Sequence, residues 1–235
     1  MQDWFTPTEW QALTLSLKVA FWSTLISLPF GIFTAYMLAR GRFWGKQILN
    51  GLVHLPLILP PVVTGYVLLL TFGRTGPLGA ILSDWFGIVL AFNWTGAVLA
   101  AAVMAFPLMV RAIRLAFDAV DPKLPAAAQT CGAPPFWVFV TITLPLIAPG
   151  IIAGAVLAFA KAMGEFGATI TFVANIPGQT ETLPLAIYTF LQVPNGDAAA
   201  FRLVWVSIFV AMAALFLSEW VSRAAAARIS GRAKA

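Results

Sequence analysis

Apolar runs long enough to cross a bilayer dominate this chain and leave few folds open to it. A helix covers the ~30 Å hydrocarbon core with about 20 residues, and five segments come within the usual spread of that length. They run from Gln11 to Ala39, Ile48 to Phe72, Trp94 to Val110, Leu146 to about Phe172, and Phe201 to Leu217. Lys18 interrupts the first near one end, where its side chain can snorkel; Pro56, Pro60 and Pro61 fall inside the second. Only 10% of the 235 residues are charged and 60% are hydrophobic, whereas soluble domains carry about 25% charged residues. The expected fold is therefore all-α: a polytopic membrane protein with one transmembrane domain over residues 1–235 and five spans. The stretch from Leu183 to Pro194 is apolar but too short to span, and reads as an interfacial or re-entrant helix.

Basic residues orient the spans. Arg40, Arg42 and Lys46 follow the first, Arg111, Arg114 and Lys123 the third, and Arg223, Arg228, Arg232 and Lys234 the fifth, together ten of the 14 in the chain. The opposite loops hold only Arg74 and Arg202. By the positive-inside bias the N-terminus lies outside and the C-terminus inside, a parity that five spans satisfy. Outside loops then fall near residues 73–93 and 173–200, and a cytoplasmic elbow near 118–145. The net charge of +5 thus reports topology and does not point to nucleic acid. No cleavable signal peptide is expected, because no basic residue precedes Trp10 and the first apolar run is too long. Trp10, Trp44, Trp85, Trp94 and Trp220 sit near span ends, as aromatic belts do.

With one cysteine, Cys131, and one histidine, His54, the chain has no disulfide framework and no conventional metal ligand set. An intramembrane enzyme needs converging nucleophiles or ligands, and Lys18, His54, Lys161 and Glu165 do not supply them. His54 is expected to hold a hydrogen bond within its span, and Cys131 to pack within the elbow. The run from Gly41 to Gln47 lacks the spacing, and the Ser/Thr after Lys46, that a phosphate-binding loop requires.

The elbow carries more information. A short helix around Ala126, Ala127 and Ala128 is stopped by Gly132, which suits the C′ position where positive φ is needed. An aromatic and apolar segment follows, and Pro145 is expected to begin a new helix at the membrane surface. From the residues alone this is either a connection between two spans or a docking knuckle.

The block resembles the Glu-Ala-Ala loop of binding-protein-dependent ABC importer permeases, with Ala127, Ala128, Gly132, Ile142, Leu144 and Pro145 at the family's spacing. His54 to Tyr66, Phe106 to Arg114 and Gly164 to Gly178 are similar to the molybdate branch; Gly164-Glu165-Phe166-Gly167 also occurs in sulfate permeases. The resemblance implies a five-span ABC importer permease in a bacterial or archaeal cytoplasmic membrane. It also implies a homodimer with the pathway at its interface, and an extracytoplasmic molybdate-binding protein. The implied ATPase partner is a cytoplasmic dimer that binds ATP and Mg, so that no cofactor is bound by this chain and lipid is its surroundings. Tungstate and sulfate or thiosulfate are the alternative substrates; a passive channel is a remote one. Ala126, Ala127, Ala128, Gly132, Ala133, Ile142, Leu144 and Pro145 would then couple to the ATPase. The family's glutamate falls at Ala126, or at Pro125 in the molybdate branch, and neither is acidic here. Pro134 and Pro135 replace the polar residues after the glycine, leaving Asp118 and Asp121 as the nearby carboxylates able to compensate.

Candidates for the pathway come from two spans. The prolines of span two leave carbonyls unpaired and bend the helix, so Pro60, Pro61 and Gly65 form either a flexible wall or a static kink. In span four, Lys161 and Glu165 are four apart and neutralise each other. Glu165 reads as a structural or gating element, since a carboxylate repels an oxyanion. Gly167, Thr169, Thr171 and Asn175 complete the set, their hydroxyls and amide serving either an oxyanion or the local backbone. Gly150 and Gly154 are expected to admit a neighbouring helix closely.

Overall fold

A computed structural model describes residues 5–229 of the protein, and every regular element among them is helical. In chain order these are α1 (Pro7–Arg40), α2 (Lys46–Ile58), α3 (Pro61–Phe72), α4 (Pro77–Phe86), α5 (Trp94–Ala119) and α6 (Lys123–Thr130). There follow α7 (Pro135–Val138), a π-helical turn (Phe139–Thr143), α8 (Leu144–Met163), α9 (Gly167–Val173), α10 (Leu183–Phe190) and α11 (Asp197–Ile229).

Helix α1 starts with a reciprocal cap: Thr6 Oγ1 accepts from the Glu9 N–H at 3.3 Å, and Glu9 Oε2 accepts from the Thr6 N–H at 2.7 Å. Its buried stripe recurs every three or four residues and is mostly small: Ala12, Ser16, Val19, Ala20, Ser23, Ser27, Gly31 and Ala35. Lipid tails are as apolar as leucine, so close packing, rather than escape from water, holds such helices together, and small residues permit it. The stripe meets α5, which buries Ala97, Ala100, Ala101 and Ala105 in turn. Helix α8 packs against both α5 and α1, and its glycines admit α5 closely, as the sequence foreshadows. A Cβ on Gly154 would lie 3.0 Å from Ile113 Cγ1, and one on Gly150 would run into Ala116 Cβ.

Four helices are long and apolar enough to span, beginning at Pro7, Trp94, Pro135 and Asp197. The expected second span is not one rod: α2 and α3 bend by 113° about Leu59 and Pro60, and make a fifth span only if counted as a pair. Pro60 and Pro61 explain the break, because neither supplies an N–H to the α2 ladder and their rings crowd the preceding turn. The fourth span also ends early. It stops at Met163, not near Phe172, and the chain resumes as α9 only at Gly167. Pro145 stands in the first turn of α8, as expected, but helical backbone already runs into that turn from Pro135. The missing N–H and the ring of Pro145 are absorbed by the π turn just before it, where the Leu144 N–H donates to Phe139 O.

The short apolar stretch after residue 183 forms α10, with its first N–H (Leu183) donated to Ser16 Oγ at 2.6 Å. Ala12, Leu183, Ala186 and Leu203 form a small core joining α1, α10 and α11.

Candidate functional site

The two broken helices meet. A Cβ on Gly65 would sit 2.5 Å from the carbonyl oxygen of Ala168 and 2.9 Å from Thr171 Cβ. One on Gly167 would sit 2.7 Å from Pro61 Cβ. Helices α3 and α9 therefore touch backbone to backbone, and Pro61, Gly65, Gly167 and Thr171, which the sequence places in different spans, share one contact. Thr64 beside Gly65 is buried with its hydroxyl unpartnered. On the other side of α3 a row four residues apart, Val62, Tyr66 and Leu70, is exposed. This free face and the packed face opposite make α3 a wall.

Glu165 fastens the break in α8–α9. One carboxylate oxygen accepts from Lys161 Nζ at 2.6 Å, and the other accepts the Ala168 N–H at 3.0 Å. The carboxylate is 2% exposed. It lies between the last turn of α8, where a cation is favoured, and the first turn of α9, where an anion is. Its lone pairs are thus directed at protein groups, as the structural reading expects. Thr171 donates to Gly167 O at 2.8 Å, and Thr169 is buried. Asn175 stands apart from this set. It lies past the end of α9, after Ala174 at φ 60° and ψ −176°, and gives its Nδ2 to Thr189 Oγ1 at 2.7 Å while its Oδ1 is buried without a partner. Pro60 lies in the bend itself, as the residue before α3. In the loop between α9 and α10, burial pushes the Glu181 carboxyl above its ordinary range, while the Thr189 hydroxyl pulls it down.

At the other end, the elbow is a knuckle around Gly132, whose φ of +88° needs a residue tolerant of the left-handed region. Ala126 and Ala127 are exposed and Ala128 and Ala133 half-buried; Ile142 and Leu144 are half-buried and Pro145 exposed. Leu124, Phe136 and Trp137 add a large exposed apolar surface. Cys131 is exposed too, not packed inside as its sequence position suggests, because the turn carries it to the tip.

The root of the knuckle is anchored by a residue that sequence reading placed only as a topology signal. Arg40, ending α1, donates through Nη2 to the carbonyls of Phe117 and Val120. Tyr36 stacks edgewise on Phe117 and Phe139. A cavity of about 260 Å³ remains between Tyr36, Arg40 and the elbow residues Pro125, Ala126 and Gln129. Of the two nearby carboxylates, Asp118 lies 3.7 Å from Arg114 Nε, and Asp121 accepts the Lys123 N–H at 2.9 Å. Among the described residues no three His, Cys, Asp or Glu side chains gather to hold a metal ion. The arrangement is a bent helix pair packed at α3 and α9 at one end and a knuckle at the other.

Residues 27–231 match the family described as binding-protein-dependent transport system inner membrane component. The chain is 61% identical over 218 residues to the molybdenum transport system permease protein ModB of Escherichia coli (strain K12), covering 93% of this chain and 95% of that protein. It is 54% identical over 215 residues to the ModB of Haemophilus influenzae, covering 92% and 94%. Among solved structures, a bacterial ABC transporter that imports the acidic polysaccharide alginate superposes with a TM-score of 0.70 at 21% identity, over 93% of this chain and 80% of that one. That likeness speaks to the fold.

Proposed function

This chain belongs to the family of binding-protein-dependent transport system inner membrane components, and from that premise we propose that it is the permease subunit of an ATP-driven molybdate importer. The observation that carries the substrate is its identity to molybdenum permeases along nearly its whole length.

Two copies enclose the pathway, with the exposed row of α3 and the α9 segment packed behind it turned toward the interface. The N-terminus faces outward and the C-terminus inward. The outer loops, near 73–93 and 173–200, receive an extracytoplasmic molybdate-binding protein, and the elbow inserts into a cytoplasmic ATPase dimer that carries ATP and Mg. Arg40 supports this orientation by tying a basic end of α1 to the root of the elbow. The exposed Leu124, Phe136 and Trp137 supply apolar docking surface in place of the missing glutamate contact. Closure of the ATPase dimer moves the paired elbows as rigid bodies, and the breaks at Pro60 and at Gly164–Phe166 let α3 and α9 swing relative to α2 and α8. Two states a few kcal/mol apart, each favoured by its own ligand, suffice for alternating access.

The test is co-purification with a cytoplasmic ATPase and reconstitution with the binding protein. Hydrolysis stimulated by molybdate-loaded binding protein, and uptake that stops without ATP, are expected; tungstate or sulfate in place of molybdate distinguishes the related dianions. Full-speed downhill oxyanion flux with no ATPase bound would overturn the reading. Intact assembly and transport in Gly132→Trp, which places an indole on the knuckle, would overturn the assignment of the elbow as the ATPase contact.

A further inference from the structure

Among the described residues four cations stand near the outer ends of the helices, and three are engaged, Lys161 with Glu165. Arg202 gives Nε and Nη2 to Glu9, and Lys18 Nζ lies 3.6 Å over the ring of Trp94. Arg74 is different. It is exposed, and among the described residues it has neither an ion pair nor a side-chain hydrogen bond. The carboxylate of the adjoining helix, Asp84, lies in the closing turns of α4 and accepts from the Ser83 hydroxyl at 3.0 Å.

The position of Arg74 follows from α3. Val62, Tyr66 and Leu70 are the exposed row of that helix, four residues apart, and Arg74 stands two residues past the helix end at Phe72, where Gly73 turns to extended backbone at φ −62° and ψ 159°. Gly73 gives its N–H to Leu69 O at 2.8 Å and closes the last turn of the helix. Arg74 there lines a cavity of about 680 Å³ with Leu70, Thr75 and Phe92. The row behind it is apolar except for the Tyr66 hydroxyl, so a doubly charged anion moving from water onto that wall meets no other positive charge there. A cation at the rim of a low-dielectric cleft raises the local concentration of such an ion. A guanidinium also matches two oxygens of a tetrahedral oxyanion at once. Because Arg74 is exposed its grip is weak, and weak binding is what lets an ion move on.

We propose that Arg74 captures the tetrahedral dianion at the outer mouth of the pathway and passes it to the α3 face. This rests on the importer reading above. The experiment uses the full assembly of permease, ATPase and binding protein in liposomes, with labelled molybdate as the probe. Two quantities are read: anion moved per ATP hydrolysed, and the binding-protein concentration that half-stimulates hydrolysis. Arg74→Lys is expected to keep the first near wild type, Arg74→Gln to lower it several-fold, and Arg74→Glu to lower it about tenfold or more, with the second unchanged in all. The gap between wild type and Arg74→Gln should narrow as salt rises and screening shortens the reach of the charge.

A wild-type ratio in Arg74→Glu overturns the proposal. A shift of the half-stimulating concentration instead overturns it in favour of a contact with the binding protein, and loss of assembly in Arg74→Gln overturns it in favour of a structural role. A wild-type assembly that moves no oxyanion at all overturns the importer reading, and this inference with it.

Discussion

Arg202 donates through Nε at 3.1 Å and Nη2 at 2.7 Å to one carboxylate oxygen of Glu9, pinning the start of α11 to the start of α1 across 193 residues of chain. Glu9 is fully buried while the Arg202 side chain is 41% exposed. Removing the arginine therefore strands a buried charge, whereas neutralising the glutamate does not. Arg202→Ala is expected to cost about 2–3 kcal/mol, less than a fully buried pair because water reaches the arginine. Glu9→Gln, which keeps an oxygen for the cap, should cost clearly less. Thermal unfolding in detergent checks the order; equal midpoints for Arg202→Ala and wild type would refute it.

The Lys161–Glu165 clamp predicts an asymmetry of the same kind. Lys161→Met leaves a carboxylate that is 2% exposed with only the Ala168 N–H, and should destabilise more than Glu165→Gln, which still accepts that N–H. Combining the two changes should recover part of the loss, a coupling of about 0.5–3 kcal/mol. A strictly additive double mutant would deny the clamp. If Glu165→Gln instead assembles normally and abolishes transport, the carboxylate acts in gating and not only in holding the break.

At Gly65 the neighbour is backbone and cannot turn aside. Gly65→Ala must push α3 off α9, and the expected cost is about 1–3 kcal/mol, accompanied by a loss of transport larger than any loss of ATPase binding, since the elbow is built from other segments. Uptake and co-purification measured on the same preparation decide this. Transport at wild-type rate would mean that the two helices do not act as one wall.

Glu181 supplies a pH signature. Its carboxyl is raised above 4.5 by burial, with Thr189 opposing. A carboxyl raised on folding favours the folded state while protonated, and that advantage is lost as pH climbs through the folded-state value. Glu181→Gln should therefore be more stable than wild type at neutral pH, with the difference disappearing as pH falls below the ordinary carboxylate range. Melting midpoints across pH 4 to about 8 test the sign; a variant that is less stable at neutral pH contradicts it.

The elbow was legible because its signals are local. Gly132 ends a helix through its own φ preference, and Pro145 falls in the first turn of α8 as expected, although a π turn joins that helix to the one before it. The prolines of the second span announced a bend but not its size, 113°. Nothing in the run from Leu146 to Phe172 marked the break at Gly164 strongly enough to divide it, since an apolar stretch reads the same whether its helix is whole or interrupted. Thr6 and Glu9 carried the spacing of a capping box, a signal for the start of α1 that reading by hydropathy passed over. Asn175 fell outside the shared contact because Ala174 turns the chain away at positive φ.

Chain order and side-chain chemistry were enough to determine that this protein lives in a bilayer, which ends of its helices carry the basic residues, and where a knuckle interrupts them. Those properties add up residue by residue along the chain. That α3 lies against α9, that Glu165 bridges a break, and that Arg74 has no ion pair among the described residues were decided only when distant segments came together. In lipid a helix face meets neighbours that are all equally apolar, so partner choice depends on how closely two backbones can approach, which is a matter of shape across space and not of hydropathy along the chain.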